Sequence, residues 1–365
     1  MRFSDIKGLD EQKRTLIQSV QKNHVAHAQL FHGSEGSANL ALALAFGSYL
    51  NCENPTNTDS CGQCSSCLKT DKLIHPDVSF IFPTAGGKKV LSENFMAEWR
   101  EFVLDHPYKD ITEWLEKIGI KQGNIPVEEA RKLIGNLSLK SYEGGYKLIY
   151  VWLPEYLSIA TANAILKILE EPPEQTIFML VCNDAQNLLT TIISRTQRFA
   201  VPKFREEDIV PYLVEKGTTT ERSKEIARLS EGNLLKAYQI ANAKNDNMHD
   251  WFANWMRYCY AFNVLELVPM ADDFDALSKE QEKQILEYGL TVFREIFLMA
   301  SGNENMVKLE EKPLDFVKNF SKVFNINNLS KISELVDEAI FHIDRNVRAK
   351  IVFLDLSLQM ARLIK

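Results

Sequence analysis

The chain has no long apolar run. Its most hydrophobic stretches, such as residues 40–50, are interrupted by small and polar side chains and fall short of the roughly 20 residues needed to span a bilayer. Residues 1–8 (MRFSDIKG) lack the apolar centre of a secretory leader. The expectation is a cytoplasmic protein with no membrane contact. A basic excess is missing as well. The formal net charge is −7, which is not the footprint of a protein that grips nucleic acid by itself, although it permits a few basic residues lent to a larger assembly. Internal repeats and low-complexity tracts are absent. The histidines form no catalytic set: His27 and His32 flank a short apolar run and His75 precedes Pro76, so each is read as structural. Glu170-Glu171 stands at a helix end before two prolines and reads as a solvated terminus. Cysteine is scarce, six in all, yet four of the six fall within residues 52–67.

What is present is an alternation of helix-patterned and strand-patterned segments. A length of 365 residues and a hydrophobic content of 45% suit two or three globular domains. A polar helix is predicted over 11–23, a strand at 29–31, a buried Ala- and Leu-rich helix over 40–50 and a strand at 77–82. Residues from about 86 to 123 read as an insertion with two amphipathic helices bearing Trp99, Phe102, Trp114 and Leu115. Alternation resumes with a helix over 127–137, entered by Pro126, and a strand over 147–153. A helix over 159–170 is capped by Ser158 and stopped by Pro172-Pro173. Strands at 176–182 and 196–201 enclose a short helix at 188–194. Near-continuous apolar strands separated by helices predict a parallel sheet covered on both faces. Beyond Pro202-Lys203-Phe204 only helices are expected: 206–215, 221–229 and 234–243, then a helical region over 246–365 with loops near 301–305 and 324–328.

The clustered cysteines are spaced Cys52-x8-Cys61-x2-Cys64-x2-Cys67. In a cytosolic protein such a set points to metal rather than disulfides. Four thiolates suit tetrahedral Zn²⁺ and leave no coordination position open, so the reading is structural zinc. Gly62 eases the tight turn between Cys61 and Cys64, and Lys69 and Lys72 lie near enough in sequence to offset thiolate charge. Iron–sulfur ligation shares the Cys-x2-Cys-x2-Cys spacing, but the usual following Cys-Pro is missing. Uncoordinated core thiols are opposed by the polarity of Asp59, Ser60, Gln63 and Ser65. Cys182 and Cys259, among apolar and aromatic residues, read as buried thiols.

A phosphate-binding loop reads G-x-x-x-x-G-K-[ST], its Lys neutralising phosphate and its hydroxyl holding Mg²⁺. The corresponding stretch is Gly33-Ser34-Glu35-Gly36-Ser37-Ala38-Asn39-Leu40. Gly33 is kept, while Ala38, Asn39 and Leu40 replace the second Gly, the Lys and the metal-binding hydroxyl. A Gly-Ser turn between a strand and a helix is common on its own. The later strand KLIYVWL sharpens the reading. It ends Trp152-Leu153-Pro154-Glu155, where a working site would place its Mg²⁺-binding acids. Glu155 comes two positions too late.

Residues 158–199 then carry a longer signal: Asn163-Ala164-Ile165-Leu166-Lys167-Ile168-Leu169-Glu170-Glu171-Pro172-Pro173, Phe178-Met179-Leu180, and Leu188-Leu189-Thr190-Thr191-Ile192-Ile193-Ser194-Arg195-Thr196. Together with His27-Ala28-Gln29-Leu30-Phe31 and the cysteine spacing, these resemble the clamp-loader branch of the AAA+ ATPases. Within that branch, zinc ligands combined with a degenerate loop are similar to the delta-prime family of bacterial DNA polymerase III. The resemblance is strong over about 1–85 and 125–240 and weak over 246–365. It implies an α/β RecA-like AAA+ domain with a zinc module (1–203), an all-α three-helix lid (204–245) and an all-α collar (246–365). It also implies a hetero-pentamer with gamma/tau motor subunits and a delta subunit, acting indirectly on the sliding clamp and primed DNA.

Residue by residue, the family's S-R-C motif maps to Ser194-Arg195-Thr196, and the resemblance makes Arg195 an arginine finger for the neighbouring subunit's ATP. A fixed guanidinium can stabilise charge developing on a γ-phosphate. The competing reading is a solvated or salt-bridged helix-end arginine, with Arg198 as the alternative finger. The lid pattern G-x-x-R-x-A appears as Gly232-Asn233-Leu234-Leu235-Lys236-Ala237, with Leu235 where the family has arginine. The expectation is therefore a subunit without ATP hydrolysis in its own site. Two other readings remain open: an ATP-hydrolysing motor subunit of the same ring, and a zinc-dependent nucleic-acid-binding module. The first is opposed by the losses above. The second needs a basic, aromatic surface beside the cysteines, where only Lys69 and Lys72 are at hand.

Overall fold

The computed structural model describes residues 1–85, 90–137, 141–242, 248–277, 279–303, 306, 307, 309, 311–322 and 328–364. Parts of the expected insertion (86–89), of the expected lid boundary (243–247) and of the two expected loops (304–305 and 323–327) lie outside the described residues. The chain divides into two compact units, Met1–Ser223 with Ser230–Gln239, and Lys224–Leu229 with Ile240–Lys365.

In the first unit, helix α1 (Asp10–Gln21) leads into β1 (Ala28–His32), α2 (Asn39–Leu50) and α3 (Ser65–Asp71). Strand β2 (Val78–Ile81), helices α4 (Met96–Asp105), α5 (Ile111–Lys117) and α6 (Val127–Leu137) and strand β3 (Lys147–Trp152) follow. Helix α7 (Ile159–Glu170), β4 (Thr176–Cys182), the single-turn α8 (Thr190–Ile193) and β5 (Gln197–Ala200) complete the α/β part. The five strands run parallel in the order β2-β3-β4-β1-β5. This is the RecA-like parallel sheet the sequence implied. All seven residues of β4 are buried, as a central strand with both faces covered requires. On one face, Ile165 and Leu169 of α7 and Leu133 of α6 close over Ile149, Phe178 and Leu180.

Local chemistry sets the boundaries. The Ser158 side chain accepts from the Thr161 N–H and starts α7, and Pro172-Pro173 prevent its continuation. Asp110 caps α5 by accepting from the Glu113 N–H at 2.8 Å. The insertion's helices α4 and α5 build an aromatic core of their own. Trp99 stacks on Phe82 with centroids 4.3 Å apart and meets Trp114 edge-on at 5.3 Å. The Trp114 indole N–H donates to the Pro83 carbonyl at 2.8 Å. Helices α9 (Glu206–Glu215), α10 (Thr220–Leu229) and α11 (Leu234–Asn242) come next.

The second unit is helical among its described residues: α12 (Met248–Ala261), α13 (Val264–Asp275), α14 (Lys279–Ala300), α15 (Glu311–Phe320), α16 (Leu329–Asp344) and α17 (Ala349–Leu363). Its core is aromatic. Phe353 stacks on Phe274 at 4.7 Å and lies 4.9 Å from Trp255, whose indole N–H is satisfied by Ser357 Oγ at 2.9 Å. No described helix is long and apolar enough to cross a membrane.

Candidate nucleotide-loop, arginine and metal sites

The loop between β1 and α2 is closed on itself. Asn39 is 3% exposed. Its Nδ2 donates into the Gly33 carbonyl at 2.9 Å, the Cys182 carbonyl at 3.1 Å and Asn183 Oδ1 at 3.2 Å. Ser37 Oγ lies 2.5 Å from the Ser34 carbonyl and 2.9 Å from Asn39 Oδ1. Where a working loop directs a lysine toward phosphate, this one turns a short amide back to staple its own backbone to the end of β4. Two glycines make the closure possible. A Cβ on Gly33 would stand 2.3 Å from the Val201 carbonyl oxygen. Gly36 has φ +72° and lies against Asn233, so that a Cβ would fall 1.8 Å from Asn233 Oδ1. The Leu234 N–H donates to the Gly36 carbonyl at 2.9 Å. The start of α11 thus caps the loop. Ala38 and Leu40 are buried, as is Leu235 on α11, so the position that carries the family's lid arginine is part of a core.

The end of β3 has been put to similar use. Trp152 is buried and packs on Trp99 at 5.1 Å and Phe102 at 5.8 Å, anchoring the insertion where a metal-binding acid would stand. Leu153 turns the chain with φ +55°. Glu155, two positions too late in the linear pattern, still reaches this place: its Oε1 accepts from the Asn183 N–H at 3.0 Å. Glu155 and Asn39 therefore meet on the same residue. Burial pushes the Glu155 carboxyl above its usual range, and its Oε2 has no hydrogen-bond partner.

Arg195 follows α8 and is half-buried. Its Nε lies 2.6 Å and its Nη2 2.5 Å from Glu170 Oε1, and its Nη1 donates to the Thr191 carbonyl at 2.9 Å. Ser194 Oγ donates to the Thr191 carbonyl at 3.2 Å and lies 3.4 Å from Arg195 Nη1. Glu170 is therefore not the merely solvated helix end that its sequence position suggested. It is the partner of the one arginine singled out for function. Twenty-five residues separate the two, and only the folding of α7 against α8 joins them. Arg198 is exposed on the edge strand β5.

The four cysteines converge. Their Sγ atoms all lie within 4.8 Å of one another, and Cys61 Sγ is 3.9 Å from Cys67 Sγ. A tetrahedral zinc with Zn–S bonds of about 2.3 Å places its sulfurs about 3.8 Å apart, so the set fits the ion. Gly62 takes φ +69° as the turn requires. Backbone N–H groups point at the sulfurs: Cys61 N–H to Cys52 Sγ at 3.2 Å, Cys64 N–H to Cys61 Sγ at 3.4 Å and Cys67 N–H to Cys64 Sγ at 3.4 Å. Donors from Gln63 and Cys64 hold the Cys61 thiol down to about 6, whereas burial raises those of Cys52 and Cys67. Lys69 does not serve as the expected counter-charge. It pairs with Glu143, and charge on sulfur is met by the backbone. Cys182 and Cys259 are buried thiols.

A family model described as DNA polymerase III, delta subunit, matches residues 8–205, more than half of the chain. The chain belongs to that family. Among its curated relatives, DNA polymerase III subunit delta' of Yersinia pestis is 34% identical over 171 residues, 46% of this chain and 39% of that protein. The subunit delta' of Escherichia coli is 27% identical over 299 residues, 81% of this chain and 77% of that protein. DNA polymerase III subunit tau/gamma of Haemophilus influenzae is 28% identical over 212 residues, 58% of this chain but only 25% of that protein. The match thus spans less than half of the Yersinia and Haemophilus proteins. With the delta' relatives, the chain is a delta-prime-like member of the clamp-loader family.

Proposed function

We propose that this chain is a non-hydrolysing subunit of a DNA polymerase III clamp loader. In this reading it sits in a hetero-pentamer with gamma/tau-type motor subunits and a delta subunit. The ring works in the cytoplasm, opening a sliding clamp and placing it on primed DNA. Helices α9–α11 act as the lid, and α12–α17 as the collar that packs subunits together. The observation that carries the proposal is the closed loop. Asn39 occupies its backbone acceptors and the start of α11 caps it, so neither a phosphate-binding lysine nor a Mg²⁺ ligand is on offer. The chain is then not an ATPase by itself. Its contribution to hydrolysis is Arg195, lent to the neighbouring subunit's γ-phosphate, with Ser194 helping to fix the turn that presents it. The cysteine set holds a structural zinc that ties the end of α2 to α3.

The test is a ring reconstituted from this chain with the gamma/tau and delta subunits of the same genome. DNA-dependent ATP turnover is measured with wild type and with Arg195→Ala. The expected outcome is an intact ring whose turnover falls by about the share of one site, since arginine fingers contribute roughly 10³–10⁵ in rate at the site they serve. An unchanged rate would remove Arg195 from the mechanism. ATP turnover by the isolated chain would instead favour the motor-subunit reading.

A further inference from the structure

We infer that Glu170 is a positioning residue for Arg195, holding its guanidinium ready for the neighbouring subunit. The inference rests on the finger reading above and adds to it a residue that acts only through the arginine. Arg195 follows a helix of a single turn, which cannot by itself fix so long a side chain. Glu170 belongs to a firmer frame. It is the last residue of the twelve-residue α7, whose adjacent Leu169 is fully buried. The Leu169 carbonyl is also bound by His27 Nε2 at 3.0 Å. The Glu171 N–H closes the helix on the Lys167 carbonyl at 3.0 Å before the two prolines end it.

The charge placement is informative. A carboxylate at a helix C-terminus faces the negative end of the macrodipole and is disfavoured there. A cation across the gap offsets that cost, and Arg195 supplies it while also satisfying the Thr191 carbonyl at the end of α8. Arginine carries five N–H donors in a rigid fork. Nε and Nη2 each hold Glu170, and Nη1 meets both the Thr191 carbonyl and Ser194 Oγ, which leaves the second Nη2 N–H for an incoming phosphate. The side chain's rotamer freedom is thus lost before the neighbour arrives, and the cost of ordering it does not fall on the catalytic step. Glu170 needs to hold the arginine, not to make the fold. The pair is part-exposed, and exposed ion pairs add little to stability.

The experiment uses the reconstituted ring with Glu170→Ala, Glu170→Gln, Arg195→Ala and the double variant Glu170→Ala/Arg195→Ala. Turnover number and KM for ATP are measured separately, with the melting temperature of each isolated chain. The expected result for Glu170→Ala is a three- to tenfold fall in the turnover attributable to the Arg195-served site, with KM and melting temperature unchanged. Glu170→Gln, which keeps an acceptor oxygen but not the charge, falls between. The double variant is no worse than Arg195→Ala, because Glu170 acts through that arginine. If Arg195→Ala lowers turnover while Glu170→Ala matches or exceeds wild type, the positioning role is overturned and the finger stands. If Arg195→Ala changes nothing, both fall together.

Discussion

Asn39 stands where the phosphate-loop pattern has its lysine, and in this fold it is a structural residue. Its amide reaches two carbonyls and a side-chain oxygen while 3% exposed, so the position now depends on a short, neutral donor. Installing the pattern's lysine should therefore fail to create an ATP site. Asn39→Lys removes the three Nδ2 bonds and the Ser37 bond to Oδ1, and drives an ammonium into a closed loop. The expected cost is about 2–4 kcal/mol, from unpaired acceptors and a buried charge, read as a lower midpoint in denaturant unfolding. No ATP turnover should appear, because Leu40 still offers no metal ligand and Trp152 no acid. Measurable hydrolysis by the isolated Asn39→Lys chain would show that the remaining machinery is intact and the loop merely switched off.

At the scale of elements, the insertion has its two expected helices, and their packing partners are what the sequence did not name. Its helices α4 and α5 pack on the sheet through Trp99, Phe102 and Trp114, and on the following helices through a ring of aromatics. His106, at the end of α4, is 1% exposed. It stacks on Tyr238 at 4.2 Å and meets Tyr108 and Tyr212 edge-on at 5.2 and 6.0 Å. Neither of its ring nitrogens has a hydrogen-bond partner. Burial, aided by Lys109 and Lys216 and opposed by Asp105, lowers its pKa to about 4. An unfolded histidine titrates near 6.5. Between those values the unfolded chain binds a proton that the folded chain refuses. Stability is therefore full above about pH 6.5 and falls as the pH drops toward 4, by on the order of 3 kcal/mol. His106→Phe should flatten that slope while leaving stability at pH 7 little changed. Unfolding curves at pH 7, 5.5 and 4 would check it, and an equal slope in the variant would discharge His106 from the effect.

The same elements show what could be read in advance. Helices over Val127–Leu137 and Ile159–Glu170 and the strand Thr176–Cys182 carry periodicity, caps and stops in the chain itself, and the structure has them at those residues. The cysteine set was legible because ligand spacing is local. Three features were not, each joining residues distant in sequence. Glu170 meets Arg195 across 25 residues, Glu155 and Asn39 meet on Asn183, and His106 lies under Tyr238. Helical amphipathicity announced that α4 and α5 bury one face. It could not say that the face would find Trp152 together with α9 and α11, because partner choice is tertiary. The nearest signal was Trp152 itself, an indole where an acid was due.

For the molecule as a whole, two units with separate cores imply that their stabilities can be addressed separately. All four clustered cysteines belong to the first unit, where they join the end of α2, the following loop and α3. On the structural-zinc proposal, an ion held by these four thiolates would contribute directly to folding free energy, since the site exists only in the folded chain. The second unit contains no part of that set. Its core around Phe252, Trp255, Phe274 and Phe353 is built from its own helices. Removing metal with a strong chelator should therefore act on one unit. The expected outcome in hydrogen exchange is lost protection in α2 and α3, spreading through the sheet, while α12, α13 and α17 keep theirs. Heating the chelated protein should split a single transition into two, the lower belonging to the first unit. Adding zinc back should merge them, and iron should not. If protection fell equally in α12 and α2, the units would unfold as one and the separation of cores would have no energetic meaning. If the chelator changed nothing, the four thiols would hold their places without an ion.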